Sequence, residues 1–203
     1  MPVPADNLAA SGWWDVMTMR RLLAAAFVVA ATSLAAVAAQ TKSPGAGPIL
    51  VLETAKGTIE FETYPEEAPK TVAQILGLVK KNFYNGQRFH RAEPNFVIQI
   101  GDPVSRDVSR QSWWGRQSSG KPIGVAEITK KRRLVLGAVA MGYPGSDKAA
   151  ADSQFFILRR AAPELEGKYT VFGKVLKGMD VVAKIERGDV LKRAYLKDEA
   201  AKP

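Results

Sequence analysis

A mostly-β fold, with its sheet closed or nearly closed and its ends capped by two helices, is what the order of residues predicts. Three observations carry this. Short runs with β-strand character recur from Ile49 onward, the clearest with apolar side chains at every second position. Only two stretches place apolar residues at helical spacing. The connections between them are rich in Gly, Ser and Pro.

The elements follow in order. Ile49–Thr54 and Gly57–Glu62 read as two strands across a turn, with Ile59 and Phe61 alternating against Glu60 and Glu62. Pro69 opens a helix, where a missing N–H costs nothing. Val72, Ile75, Leu76 and Val79 form its apolar stripe, and Lys80 and Lys81 complement its dipole. Asn85-Gly86 is a turn. Strands are expected at Arg88–Arg91, Phe96–Ile100, Leu134–Met141, Gln154–Leu158 and Thr170–Val175. A second helix is expected at Met179–Arg187, with Val182 and Ile185 inward and Gly188 as its stop.

The domain division that results is an N-terminal extension over residues 1–39, a Pro/Gly-rich linker over 40–48, one domain over 49–190 and a charged tail over 191–203, expected to fray. Leu22–Ala39 is uncharged, follows Arg20-Arg21 and closes on small residues, the parts of a secretory signal peptide over about residues 19–39. An exported, periplasmic protein is therefore expected, with translation starting at Met17 or Met19. The alternative is a retained membrane anchor, since 18 apolar residues span a bilayer marginally.

The chemistry open to the chain is narrow. Among 203 residues there is no cysteine, which excludes disulfides, thiolate metal sites and cysteine nucleophiles. A single histidine, His90, excludes a multi-histidine metal site within one chain. The net charge is +9, and removing residues 1–39 leaves it at +9. That balance favours anionic partners, although export would make chromosomal DNA an unsuitable one. No nucleophile elbow, phosphate-binding loop or zinc-protease motif is present. A triad of His90, Ser112 and Asp102 has nothing in its spacing to recommend it.

What stands out is a polar and aromatic set carried by strands. Phe89-His90-Arg91 precedes Pro94-Asn95-Phe96-Val97-Ile98-Gln99, and Ser153-Gln154-Phe155-Phe156-Ile157 follows. On a strand, Gln154 and Phe156 share one face and Phe155 and Ile157 the other. Such a face suits a site that grips an apolar ring and hydrogen-bonds a peptide backbone.

With its segments APKTVAQILGLVKKNFYNGQRFHRAEPNFVIQIGDP, SQFFI and LEGKYTVFGKVLKGMDVV, the chain resembles the cyclophilin family of peptidyl-prolyl cis–trans isomerases from about Val51 to Gly188. The resemblance implies a closed eight-stranded antiparallel barrel capped by two helices. It implies catalytic roles for Arg91, Gln99 and Phe96. It implies substrate-binding roles for His90, Val97, Met141, Gly142, Tyr143, Gln154, Phe156, Leu165 and Tyr169. It implies no metal and no cofactor, because rotation about an amide makes and breaks no covalent bond. The partners it implies are proline-containing polypeptides rather than nucleic acid, with a monomer expected and the membrane involved only if the apolar segment is uncleaved.

Three departures from the family pattern matter. Ile100 stands where the family commonly has glycine, so a local strand shift is expected. The loop from Gly142 to Ser153 is longer than usual. Glu164 stands where strong cyclosporin binders have tryptophan, so weak inhibition by cyclosporin is expected. A non-catalytic proline-peptide binding module or holdase is the alternative function.

Overall fold

A computed structural model describes residues 43–198. The expected start site, signal peptide and membrane anchor fall outside these residues. The strands are β1 (Ile49–Thr54), β2 (Gly57–Thr63), β3 (Arg91–Ala92), β4 (Val97–Ile100), β5 (Ala138–Met141), β6 (Phe155–Leu158), β7 (Val171–Lys177) and β8 (Leu191–Leu196). Helix α1 (Pro69–Lys80) lies between β2 and β3, and α2 (Met179–Lys184) between β7 and β8.

All the strands join one antiparallel sheet in the order β3-β4-β6-β5-β7-β2-β1-β8. Its two edges, β3 and β8, are not joined by a ladder. An isolated bridge between Arg88 and Val190 and a few backbone bonds, such as Phe89 N–H to Asp189 O at 3.0 Å, span the gap. The closed barrel expected from the sequence is therefore an open half-barrel. Its reason is local: residues 86–89, ahead of β3, bond the chain at 188–191, but those bonds stop at Phe89, and the two-residue β3 that follows makes none to β8 among the described residues.

The curved sheet sorts its side chains by strand parity. Ile98, Ile100, Val139, Met141, Phe155 and Ile157 enter the main core, where Phe61, Phe155 and Phe172 meet with ring centroids 5.9–6.1 Å apart. Helix α1 buries Val72, Ile75 and Val79 in the same core. No side chain of its own caps its start; the Glu127 carboxylate accepts the Lys70 and Thr71 N–H groups at 3.0 and 2.8 Å.

Several boundaries differ from expectation. Residues 191–196 are not a fraying tail but β8, paired with β1, with Leu191, Ala194 and Leu196 buried. Residues 43–48 are not a free linker: Gly47 N–H reaches Thr63 O at 2.8 Å, and Ser43 bonds the Glu62 carboxylate. Helix α2 stops at Lys184, ahead of Gly188, where Arg159 takes the carbonyls of Val182 and Ile185. Ile100 shifts nothing, because its side chain enters the core and β4 stays in register opposite Phe155. The position that tolerates no side chain is Gly101, at φ 117°, where a Cβ would lie 2.2 Å from Ser153 O.

Candidate functional site

Register places the expected polar and aromatic residues in one row across the outer face. Arg91 on β3 stands opposite Gln99 on β4, Gln99 opposite Phe156 on β6, and Phe156 opposite Ala140 on β5. Around Phe156 an apolar cluster gathers Val97, Ala140 and Val171, with Phe96, Leu165 and Tyr169 packed at its border. The Tyr169 ring meets Phe156 edge-on at 5.1 Å and lies 5.0 Å from Tyr143.

Arg91 stands at the edge of this cluster with its guanidinium 5.6 Å from the Phe96 ring centre. Its Nε donates to Glu93 at 2.7 Å and its Nη1 to Gln99 Oε1 at 3.4 Å. Its Nη2 donates to no group among the described residues. Gln99 in turn donates to Gln154 Oε1 at 2.8 Å, and Gln154 Nε2 donates to the carbonyls of Gly115 and Gln117 at 3.0 and 2.8 Å. One chain of amides thus runs from the guanidinium into the loop after β4, which fixes the orientation of each member.

That loop is anchored from beneath. Asp102 is fully buried, and its carboxylate accepts the N–H groups of Val104 at 2.8 Å, Gly115 at 2.5 Å and Gln117 at 3.4 Å. Asp152 does the same for the far wall, accepting Ser118 Oγ at 2.9 Å and Lys121 N–H at 2.8 Å. Ser153 Oγ donates to Gly101 O at 2.7 Å. The long loop after β5 is held too, for Asp147 caps a short turn at Ala149 N–H, 2.9 Å away. Between these walls lies a depression lined by Gln99, Gln154, Gly142, Tyr143, Gly115 and Arg116. Gly142 allows the close approach, since a Cβ there would lie 3.1 Å from Gln99 Nε2.

Most of the expected residues converge here: Arg91, Phe96, Val97, Gln99, Gly142, Tyr143, Gln154, Phe156, Leu165 and Tyr169. Two do not. Met141 pairs with Phe155 and therefore points into the main core, 1% exposed. Its neighbour Ala140 faces the site instead. His90 is buried, with Gly115 close against its ring, so it lies behind the groove rather than along it. Burial drives its pKa down to about 4, which the nearby Asp102 partly opposes and the Arg91 charge reinforces. The residues missed by sequence reasoning are Ala140, Gly115, Arg116 and Gln117. Strand parity could have found the first; a single sequence holds no signal that folds residues 115–117 over Gln154. Glu164 pairs with Arg160 at 2.6 Å, and Arg160 flanks the Phe96 ring at 5.2 Å.

Comparison with known proteins agrees with this geometry. The family model for cyclophilin-type peptidyl-prolyl cis–trans isomerases matches residues 49–201. A probable peptidyl-prolyl cis–trans isomerase of Brucella abortus is 40% identical over 182 residues, covering 87% of this chain and 89% of that protein. The peptidyl-prolyl cis–trans isomerase-like 3 protein of Gallus gallus is 36% identical over 146 residues, covering 72% of this chain and 86% of that one. The crystal structure of a cyclophilin-type isomerase from Cryptosporidium parvum shares the fold at a TM-score of 0.64 and 24% identity, covering 77% of this chain and 99% of that one. An outer-face row of arginine, glutamine and phenylalanine on a matching half-barrel, with a family model spanning the whole described domain, leaves one assignment: this chain belongs to the cyclophilin-type peptidyl-prolyl cis–trans isomerase family.

Proposed function

We propose that the chain accelerates cis–trans rotation about X–Pro bonds in polypeptides, at the row formed by Arg91, Gln99 and Phe156. The observation that carries this is the partly committed guanidinium of Arg91, held on two sides and open on the third, beside an apolar cluster.

The uncatalysed barrier, about 18–20 kcal/mol, is amide resonance. As the bond twists, the proline nitrogen recovers its lone pair and becomes an acceptor. A donor aimed at that nitrogen binds the twisted state more tightly than either planar one, and this difference lowers the barrier. Arg91 Nη2 is the free donor. Glu93 and Gln99 hold the other edges of the guanidinium, so little orientation is lost on binding. Phe96, Val97, Phe156 and Leu165 grip the pyrrolidine ring, with Tyr169 at the border. Gln154, Gly142 and Tyr143 line the neighbouring depression, where the peptide backbone would lie. Extended or partly folded chains are the fitting substrates, because this surface offers hydrogen bonds to a backbone. The uncharged Leu22–Ala39 stretch behind Arg20-Arg21 supports action on exported proteins outside the cytoplasm.

The test is a proline-peptide isomerisation assay on wild type and Arg91→Ala. A hundredfold loss in kcat/KM, about 2.7 kcal/mol, is expected with the fold unchanged. Arg91→Lys should recover little, since an ammonium cannot donate along three edges at once. Equal and negligible rates in wild type and Arg91→Ala would leave a proline-peptide binding module instead.

A further inference from the structure

Beyond the candidate site, one segment carries exposed aliphatic side chains next in sequence to cations, some of which have no acidic partner among the described residues. Residues 128–136 read ITKKRRLVL. Leu134 is buried, but Val135 and Leu136 are 38% and 52% exposed. Two of the four consecutive cations are committed. Arg132 pairs with Glu67 at 3.0 Å, donates to Pro44 O at 2.8 Å and lies 3.8 Å over the Tyr64 ring. Arg133 faces Glu166 at 3.3 Å. The adjacent Glu62 is buried and bonded to Ser43 and Tyr64. Lys130, Lys131 and Lys174 make no ion pair among the described residues. Lys131, Val135 and Lys174 line one shallow depression, and Ser43 stands on its wall.

We infer that this face docks on an anionic lipid bilayer. Val135 and Leu136 enter the boundary between headgroups and acyl chains, and Lys130, Lys131 and Lys174 lie against the lipid phosphates. Two aliphatic side chains alone bind a membrane weakly; a second, electrostatic signal is what makes such binding persist. A lysine close to an anionic surface strengthens binding roughly fivefold. A soluble polyanion such as nucleic acid would use the lysines but has no use for exposed Val135 and Leu136, so the pairing of the two features favours lipid.

The experiment uses the full chain throughout, so that the Leu22–Ala39 stretch is common to every sample. Wild type, Lys130→Glu/Lys131→Glu and Val135→Asp/Leu136→Asp are sedimented with vesicles of phosphatidylcholine alone and of phosphatidylcholine mixed with phosphatidylglycerol. Isomerase activity on a soluble peptide, expected unchanged in both variants, reports that they are folded. Wild type should bind the mixed vesicles about tenfold or more tightly than the charge-reversed variant at low salt, with the gap closing at high salt. The Val135/Leu136 variant should bind the mixed vesicles more weakly at both salt levels. Equal binding of all three proteins to mixed vesicles overturns the inference. So does a charge effect of the same size on soluble polyphosphate with no effect of the Val135/Leu136 change, which would make the face a polyanion site.

Discussion

The imidazole of His90 is shut in beneath Gly115, with Asp102 and Gln154 nearby. Its folded pKa of about 4 lies below the ordinary value of 6.5, so the unfolded chain takes up a proton first as pH falls. The stability this residue contributes is fully present above pH 6.5 and is lost progressively down to about pH 4. The loss amounts to about 3 kcal/mol. Denaturant unfolding at pH 7 and near pH 4 should show this loss in wild type, and a shallower one by that amount in His90→Gln. A variant as acid-sensitive as wild type would mean that carboxylates alone set the dependence. At this scale the sequence was informative about Arg91, Gln99 and Phe156, because period two and a known motif agree on their face. It was uninformative about His90, because what buries that ring is a glycine 25 positions away in sequence. Met141, assigned by the resemblance, was misplaced by one residue of parity: β5 turns Ala140 to the site and Met141 into the core opposite Phe155.

Among the elements, the loop from Pro103 to Gln117 carries the most consequence. It has little apolar burial of its own, and Val108 and Trp113 are more than half exposed. It is held by the Asp102 carboxylate below, the Gln154 amide beside it, and Arg187, which donates to Gln111 O at 3.2 Å. Asp102→Ala should therefore speed hydrogen exchange at the N–H groups of Gly115 and Gln117. It should also raise KM for peptides more than it lowers kcat, because the loop walls the groove and does not touch the rotating bond. Exchange at wild-type rates would show that Gln154, Arg187 and the other contacts hold the loop without the carboxylate. The strand before the loop ends at a tighter constraint. Gly101→Ala forces a Cβ to within 2.2 Å of the Ser153 carbonyl from a left-handed backbone, and a loss of more than about 3 kcal/mol in thermal or denaturant stability is expected. Ile100→Gly, by contrast, empties core volume without relieving strain. Sequence alone invited the opposite assignment, since it shows two adjacent positions and not which of them faces the Ser153 backbone.

For the whole molecule, the decisive element is the one that looked least structured. Leu191, Ala194 and Leu196 are spaced three and then two apart because β8 slips by one residue at Glu53/Thr54. That slip hides the period of two, and Lys192 and Arg193 make the segment read as a solvated tail. The same charges, exposed on an edge strand, discourage pairing with other chains. A chain ending at residue 190 should lose the whole cooperative transition in circular dichroism, rather than a few tenths of its stability; a near-native melting curve would show that β8 is dispensable. The pairing of β1 with β8 has one more outcome. The first of the described strands has the last of them as its outer neighbour, with Leu52 opposite Ala194. During synthesis the β1–β2 hairpin must wait, one side bare, until residues 191–196 have been made. Completion of the fold is therefore a late event, held back by the roughly 130 residues that separate β2 from β8.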